Sequence, residues 1–268
     1  MDKNSNILIA SARLTTFLQD ALSLSLETIR IARTAHTLLA AGVSIPENLL
    51  QRLIVFFRER QRTDGGWSDP EETAWVVGFI KTLRGIDNPS VQSALEWLND
   101  ERKAEGGWGA HSRDHARIRS TALISVLAPE VIRPEDTKWL LNEWRKDFAG
   151  PVRLSYKAGF FLLAMPPELD DELIDKTIRH LAGDQNEDGG FAPWKGHPIG
   201  SDPWSTGVVL WGLSRWGERV DRIVLKRALE WLQRTQLPSG YWPYHYLDDG
   251  ASIALIGALS AMKTLAEN

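Results

Sequence analysis

The heptapeptide QRTDGGW at residues 61–67 recurs along the chain and decides the fold. It reads glutamine, three residues, glycine, one residue and an aromatic ring. The same spacing returns as QNEDGGF at residues 185–191 and as QLPSGYW at residues 236–242. A looser copy, ERKAEGGW, occupies residues 101–108 with glutamate in place of the glutamine. Four copies in one chain indicate a repeat architecture.

The spacing of the copies predicts five repeats. Their aromatic ends follow one another at about 40 to 50 residues, with one gap of about twice that length between Trp108 and Phe191. A degenerate copy of the motif is therefore expected inside that gap, at EWRKDFAGP around Phe148.

Each repeat reads as two helices joined through the glycine turn. An amphipathic helix precedes the turn, as in PENLLQRLIVFFRER from Pro46. A more apolar helix follows it, as in ETAWVVGFIKTL from Glu72. Proline tolerates the first helical position and glycine favours the position just past a helix end, so both mark predicted boundaries. The prolines are Pro46, Pro89, Pro134 and Pro167, and the glycines are Gly85 and Gly217.

The N-terminal region adds a sixth helical pair, at residues 9–42 and closed by Gly42, before the repeats at residues 45–265. An inner ring of six apolar helices wrapped by six amphipathic helices would bury every apolar face. The sequence therefore predicts an all-α fold, a single closed (α/α)6 toroid of six helical hairpins, with residues 1–268 as one domain.

The repeated segment resembles the QW motif of squalene-hopene and oxidosqualene cyclases, and WSDPEETAWVVGFIKTL is similar to the stretch that follows the motif in that family. The family's toroid is shared by class II diterpene cyclases and by the β subunits of protein prenyltransferases. The resemblance implies that Gln61, Gln185 and Gln236 bond free amides at helix starts. It also implies that the aromatic ends stack on the neighbouring repeat. These rings are Trp67, Trp108, Phe191 and Trp242.

Composition excludes several partner classes. The net charge is −4 over 268 residues without a basic run, so no nucleic-acid or anionic-membrane partner is expected. The chain has no cysteine, which removes disulfides and thiolate metal sites and suits a reducing compartment. No signal peptide is recognised at the start, and the longest apolar run is too short for a transmembrane segment. A cytoplasmic protein is predicted.

Polar residues gather at the predicted starts of the apolar helices, and these starts converge at one mouth of the ring. Acidic residues there suit helix capping, which is the simpler interpretation of Asp69, Asp202 and Asp248. Basic residues at helix starts oppose the helix dipole, so they indicate compensating carboxylates or a bound anion. The full set is Asp69, Glu71, Glu72, Asp114, His115, Arg117, Arg153, Tyr156, Lys157, Asp202, Ser205, His245, Asp248 and Asp249.

The family resemblance assigns catalytic roles to part of this set. Class II cyclases protonate an alkene or epoxide with the middle carboxylate of a D-x-D-D-T-A motif, and DPEETA at residues 69–74 fits that pattern with glutamates. Glu71 would be the acid, flanked by Asp69 and Glu72. Asp248 or Asp249, the other carboxylate pair at the mouth, would be the acid if Glu71 is not. Predicted substrate-binding residues are Arg117, Arg153, Tyr156, Lys157, Asp202, Trp75, Trp204 and His245.

Zinc-dependent prenyl transfer fits less well. The segment GGFAPWKGHPIGSDPWSTG is similar to the zinc-bearing repeat of the prenyltransferases, but Trp204 stands where the cysteine belongs. HSRDH at residues 111–115 has helical spacing for a metal pair, yet its place before a helix favours a polar cap. No metal or other cofactor is expected.

Two functions stay open. One is a terpene cyclase-like enzyme that takes a hydrophobic, isoprenoid-type small molecule, with any phosphate head held by Arg117, Arg153 and Lys157. The other is a non-catalytic toroid whose mouth binds a peptide or a partner protein. An enzyme requires a cavity of several hundred cubic ångströms, roughly 300 or more, whereas a binding module fills it with aromatic side chains.

Overall fold

The computed structural model describes residues 3–111, 113–169 and 171–267, and these residues form twelve α-helices, two short 3₁₀ turns and no strand. The all-α prediction is confirmed. None of the described helices combines the length and the apolar content needed to cross a bilayer. The helices are α1 Lys3–Ser23, α2 Thr28–Ala40, α3 Glu47–Arg60, α4 Pro70–Arg84, α5 Pro89–Asp100, α6 Ile118–Leu127, α7 Pro134–Ala149, α8 Ser155–Ala164, α9 Glu172–Asp184, α10 Pro203–Ser214, α11 Arg222–Thr235 and α12 Leu247–Glu267.

The chain forms two compact units. The first unit comprises residues 14–140, and the second comprises the residues before 14 together with those from 141 onward. The two boundaries fall within helices α1 and α7. Folding of residues 1–268 as one domain stays a prediction.

In the first unit, α4 is the enclosed helix. Its residues from Pro70 to Ile80 are all buried, and it packs against α2 and α6. The helices that flank it in sequence, α3 and α5, bury one stripe each and expose the other face. The alternation of amphipathic and enclosed helices read from the sequence is therefore present here.

In the second unit, α10 packs against both α8 and α12, and glycines bring the three backbones together. A Cβ added at Gly212 would overlap the carbonyl oxygen of Gly159 on α8. A Cβ added at Gly257 on α12 would overlap the carbonyl oxygen of Gly207 on α10. The pattern of glycines on these apolar helices is thus a packing requirement.

The repeated glutamines join consecutive helices. The Gln61 side-chain amide donates to the carbonyl oxygens of Gly65 and Ser90, both at 2.8 Å. Gln185 and Gln236 donate in the same way to the glycine four residues on, at 2.8 and 3.0 Å. Their second bonds reach Val224 at 2.9 Å and Asn6 at 3.0 Å. Each glutamine therefore holds its own turn closed and ties it to another helix.

The direction of these bonds corrects one expectation. The glutamines were expected to bond free N–H groups at helix starts, but their amide groups donate to carbonyl oxygens. Ser90 and Val224 do lie in the first turns of α5 and α11. A carbonyl oxygen has two lone pairs, so it can serve the helix and the glutamine together.

The aromatic ends of the segments are buried and hydrogen-bonded. The indole N–H of Trp67 donates to the carbonyl oxygen of Phe57 at 3.0 Å, and that of Trp242 donates to Leu232 at 2.7 Å. The backbone N–H of Trp67 donates to the hydroxyl of Thr73 at 3.0 Å. Phe191 makes the same backbone bond to Thr206 at 2.9 Å. The ring thus fastens the end of one helix to the start of the next.

The looser copy replaces the glutamine with an ion pair. Arg102, next to Glu101, donates through Nε to both carboxylate oxygens of Asp136 at 3.1 Å. The buried Asp136 also accepts from the backbone N–H groups of Gly107 and Arg133, at 2.8 and 2.9 Å. A charged pair with satisfied partners therefore does here what the glutamine does elsewhere.

Three local predictions differ from the structure. Helix α9 begins at Glu172, with Asp171 as its N-cap, so Pro167 lies in the preceding turn. Gly217 begins a 3₁₀ turn instead of capping α10. No glycine turn interrupts the expected copy around Phe148, because α7 continues to Ala149.

The first prediction concerns the segment at residues 236–242. Trp242→Ala removes a buried ring and should lower the free energy of unfolding by about 3 to 5 kcal/mol. Gln236→Ala leaves two carbonyl oxygens with one partner fewer and should lower it by about 1 to 3 kcal/mol. Denaturant unfolding measures both. Gln51→Ala, at an exposed position on α3, is the control and should stay within about 0.5 kcal/mol of the parent. Parent-like stability of both variants would contradict the scaffold role.

The second prediction tests the glycine packing. Gly207→Ala puts a methyl group against the backbone carbonyl of Ile253, 2.5 Å away, and should destabilise the protein by about 1 to 3 kcal/mol. Gly183→Ala meets open space in the last turn of α9 and should be neutral or stabilising by up to about 1 kcal/mol. Thermal melts of the two variants compare the sites directly, and equal effects would refute the close-contact argument.

Candidate functional site

A pocket of about 530 Å³ lies in the second unit, beside the starts of α8, α10 and α12. This volume is in the range of small-molecule sites. Five of the residues singled out in the sequence line it together: Tyr156, Asp202, Trp204, Ser205 and His245. The other lining residues are Pro193, Trp194, His197, Ile199, Ser201, Pro243 and Tyr244.

One wall of the pocket is the segment that joins Phe191 to Asp202. In the copy at residues 61–67, the aromatic ring is followed by a single residue and then by Asp69, whereas ten residues intervene here. The longer segment is fixed at its ends: the N–H of Ser155 donates to the carbonyl of Pro193 at 2.8 Å, and the N–H of Asp202 donates to Phe191 at 3.0 Å. The insertion therefore creates the wall.

Asp202 is both a helix cap and a buried carboxyl group. Its Oδ1 accepts from the N–H of Ser205 at 2.8 Å, which caps α10. Its Oδ2 is buried and has no hydrogen-bond partner among the described residues. Burial raises the pKa of Asp202, against the opposing effects of hydrogen bonds from Ser205 and Trp204 and of the nearby His197. This oxygen therefore has unused hydrogen-bonding capacity in a residue that lines the pocket.

Trp204 forms the aromatic wall beside this acid. Its ring meets those of Tyr156 and Phe160 edge to face, with centroids 5.6 and 5.8 Å apart. Its indole N–H donates to Oδ1 of Asp249 at 3.1 Å. These contacts hold the indole in one orientation. Asp249, which the sequence offers as an alternative acid, is a hydrogen-bond partner of this ring.

Two histidines lie at the polar side of the pocket. His197 packs against Trp194 edge to face, with the two ring centroids 4.0 Å apart. Its Nδ1 accepts from the N–H of Ile199 at 3.2 Å. An accepting Nδ1 places the proton on Nε2 in this arrangement. His245 is exposed and lies against the rings of Tyr244 and Tyr246.

The remaining predicted carboxylate of this unit, Asp248, is buried in the first turn of α12. It does not line the pocket.

The predicted basic residues are engaged elsewhere. Lys157 pairs with Asp147 at 2.8 Å, and Arg153 donates to the carbonyl of Phe148 at 2.6 Å while lying over its ring. In the first unit, Arg117 pairs with Asp114 at 2.6 Å. Facing carboxylates therefore compensate two of the three cations, which is one of the two alternatives that the sequence left open.

The acidic segment DPEETA belongs to the first unit. Asp69 caps α4 by accepting from the N–H of Glu72 at 2.9 Å. The Glu72 carboxylate accepts from Ser68 and from Ile29 at the start of α2, at 3.1 and 3.0 Å. Burial raises the pKa of both carboxyl groups, against these backbone hydrogen bonds. Both residues thus join helix starts.

Glu71 has a different partner from its neighbours. Its Oε1 accepts from Arg119 Nη2 at 2.6 Å, on the first turn of α6. Trp75, on the same helix, is buried against His36, whose pKa burial lowers to about 4. Residues 113–117 precede α6 without being helical, so His111 and His115 lack the helical spacing that a metal pair would use; Ser112 lies outside the described residues.

Sequence reasoning missed three features of the pocket. The sequence predicts Asp202 to be a helix cap or a substrate-binding residue, and no sequence feature distinguishes it as an acid. Trp194, His197 and Tyr244 were not named at all. The available signal was the ten-residue segment after QNEDGGF, which stands where the first copy has one residue and carries two aromatic or imidazole rings.

Comparison with known proteins gives the fold a context. The structure is similar over 98% of its length to a variant of type II terpene cyclase MstE from Scytonema in complex with geranylgeranyl dihydroxybenzoate, with a TM-score of 0.74 and 14% identity over 99% of that chain. It is similar to ent-copalyl diphosphate synthase from Streptomyces platensis over 88% of this chain and 50% of that one, with a TM-score of 0.58 and 16% identity. The chain has the fold of type II terpene cyclases, as predicted.

Sequence comparison points the same way at low identity. Drimenyl diphosphate synthase from Streptomyces showdoensis is 23% identical over 77% of this chain. (+)-Copalyl diphosphate synthase 3 from Marrubium vulgare is 42% identical over 40 residues, 15% of this chain. The chain spans 44% of the length of the first of these relatives and matches 5% of the second. No protein-family model matches.

The third prediction follows from the raised pKa of Asp202. Because burial raises the pKa of Asp202, its carboxyl group ionises more readily in the unfolded chain than in the folded protein, and this costs stability near neutral pH. As the pH falls through the folded-state pKa, the folded side chain takes up a proton before the unfolded one does, and the cost disappears.

Asp202→Asn keeps the cap and removes the charge. The variant should therefore melt a few degrees above the parent at pH 7.5, and the difference should shrink toward pH 4. Asp221→Asn, at the exposed cap of α11, is the matched control and should show no such trend. Melting temperatures across this pH range give the answer, and a variant less stable than the parent at pH 7.5 would contradict it.

Proposed function

We propose that this chain is a class II-type terpene cyclase-like enzyme. It binds an isoprenoid in the pocket of about 530 Å³ and starts cyclisation by protonating an alkene or epoxide. The observation that carries this proposal is the buried carboxyl group of Asp202, whose Oδ2 has no partner among the described residues, in an aromatic pocket. The fold shared with type II terpene cyclases supports it.

Asp202 is suited to the role of proton donor. A carboxylic acid can protonate a substrate only if it holds its proton, and burial moves the pKa of this group in that direction. The cap bond occupies Oδ1, so Oδ2 is the oxygen that carries the reacting proton. The assignment differs from the Glu71 hypothesis of the sequence and is tested against it below.

The aromatic rings are suited to stabilise the cation that protonation creates. Trp204 and Tyr156 present π-systems, whose faces attract positive charge more strongly when water is excluded. The hydrogen bond from the indole N–H of Trp204 to Asp249 fixes the ring and places the carboxylate beside its N–H edge. Asp249 is thus proposed as a positioning residue for Trp204.

The reaction balances as an isomerisation. Asp202 donates one proton to the terminal double bond or epoxide, internal double bonds attack the cation in turn, and the final cation loses one proton. The product has the composition of the substrate, and the acid recovers its proton from solvent or from a neighbouring group. Capture of the final cation by water would give a hydrated product instead.

Glu71 stays the second candidate acid. The resemblance of DPEETA to the D-x-D-D-T-A motif supports it. For Glu71 to donate a proton, Arg119 would have to move away from it, or the Glu71 carboxylate would have to take up a proton while the guanidinium stays in place. Asp69, Glu72 and Asp248 are retained as neighbours whose charge affects an acid, and not as donors. Peptide or partner-protein binding by a non-catalytic fold stays the alternative function.

The fourth prediction separates the two acids. The parent, Asp202→Asn and Glu71→Gln are each incubated with linear isoprenoids, both free and diphosphorylated, and the products are analysed. Asp202→Asn should reduce turnover by about 100-fold or more, because an amide keeps the shape and cannot donate a carboxylic proton. Asp221→Asn, which caps α11 on the surface, is the control and should turn over like the parent.

The results have distinct meanings. Full turnover in Asp202→Asn with none in Glu71→Gln would move the acid to Glu71 and leave the cyclase function standing. Folded parent protein that neither binds nor converts any isoprenoid would contradict the cyclase function and favour partner binding.

A further inference from the structure

The polar side chains of the pocket lining are one carboxyl group, four hydroxyl groups and two imidazole rings. Besides Asp202, its polar side chains are the hydroxyls of Tyr156, Ser201, Ser205 and Tyr244 and the two imidazoles. No lysine or arginine is among the described residues that line it. A diphosphate buried here would bring two or more negative charges without a fixed cation to pair with them, and unpaired buried charge is strongly unfavourable.

The cations nearest in sequence to the lining are bonded to other groups. Lys157 follows Tyr156 and pairs with Asp147. Lys195 follows Trp194 and donates to the carbonyl oxygens of Gln185 and Gly183, at 3.1 and 3.3 Å. Using either against a phosphate would require breaking these interactions.

At two of the three helix starts beside the pocket, a backbone N–H group is already bonded. Free N–H groups at a helix N-terminus can bind phosphate. At α10 the carboxylate of Asp202 already accepts from Ser205, and at α8 the N–H of Ser155 donates to Pro193. His197 accepts from Ile199 through Nδ1, and this bond would have to break before that nitrogen could donate to an anion. An anion would compete with bonds that shape the pocket.

We infer that the substrate of this pocket is an uncharged isoprenoid, with a hydroxyl, epoxide or phenol as its polar group, and not an isoprenoid diphosphate. The inference rests on the proposed function and names its substrate class. A neutral head can both donate to and accept from the hydroxyls and imidazoles of the lining.

The fifth prediction compares two ligands that share a C20 chain. Geranylgeraniol and geranylgeranyl diphosphate are titrated into the parent protein with tryptophan fluorescence as the readout, with and without Mg²⁺, because the pocket contains Trp194 and Trp204. The alcohol should bind at least about tenfold more tightly in both conditions.

A charge-gain variant makes the test sharper. Ile199→Lys adds a cation at an exposed position of the pocket lining, and it should shift the ratio of diphosphate affinity to alcohol affinity by about tenfold toward the diphosphate. Ile223→Lys, also exposed, on α11 and absent from the lining, is the matched control and should leave this ratio unchanged.

The outcomes separate this inference from the proposed function. Tighter binding of the diphosphate by the parent overturns the inference, and conversion of that diphosphate to a cyclic product would leave the cyclase function intact. Binding of the alcohol without any cyclic product supports the inference and contradicts the function. Absence of binding by both ligands overturns the inference as well.

Discussion

The side-chain amide of a glutamine, shared between two carbonyl oxygens, is the contact on which the other structural features depend. In three places it closes a glycine turn and reaches the first turns of α5 and α11 or the Asn6 carbonyl on α1. A turn of this kind is polar, and it must hold a large aromatic ring in the core directly after it. Two short bonds from one rigid amide supply that restraint without a charge.

The same restraint positions the proposed acid. Gln185 fixes the turn before Phe191, the N–H of Phe191 donates to Thr206, and the N–H of Asp202 donates back to the Phe191 carbonyl. The residues between Phe191 and Asp202 are therefore a loop with both ends fixed, and its length can change without disturbing α10. The ten residues there form a wall of the pocket, whereas a single residue precedes Asp69, which acts only as a helix cap.

Periodicity and repetition were sufficient to predict the fold from sequence, but not the site. The amphipathic and enclosed helices, the proline at Pro89 and the glycine at Gly85 follow from local rules that tertiary contacts reinforce. The start of α9 could not be read in the same way, because Asp171 caps more strongly than Pro167 begins a helix. The prediction of a fifth copy of the motif around Phe148 failed as well. There α7 continues to Ala149 without a glycine turn, and the indole N–H of Trp144 donates to the hydroxyl of Thr177.

The site was harder to predict because the same sequence pattern occurs at two places whose structural surroundings differ. Asp69 and Asp202 both precede a proline, both cap the following helix and both are desolvated. They differ in what lies beside them: the Glu72 carboxylate, itself engaged at two helix starts, neighbours Asp69, whereas a pocket with aromatic walls neighbours Asp202. No rule about helix starts distinguishes these two cases, because the distinction is made by the loop before the cap. A carboxyl oxygen that is buried beside an open pocket lowers the stability of the fold, and a cyclase-like protein would retain that cost at the position where a proton has to be delivered.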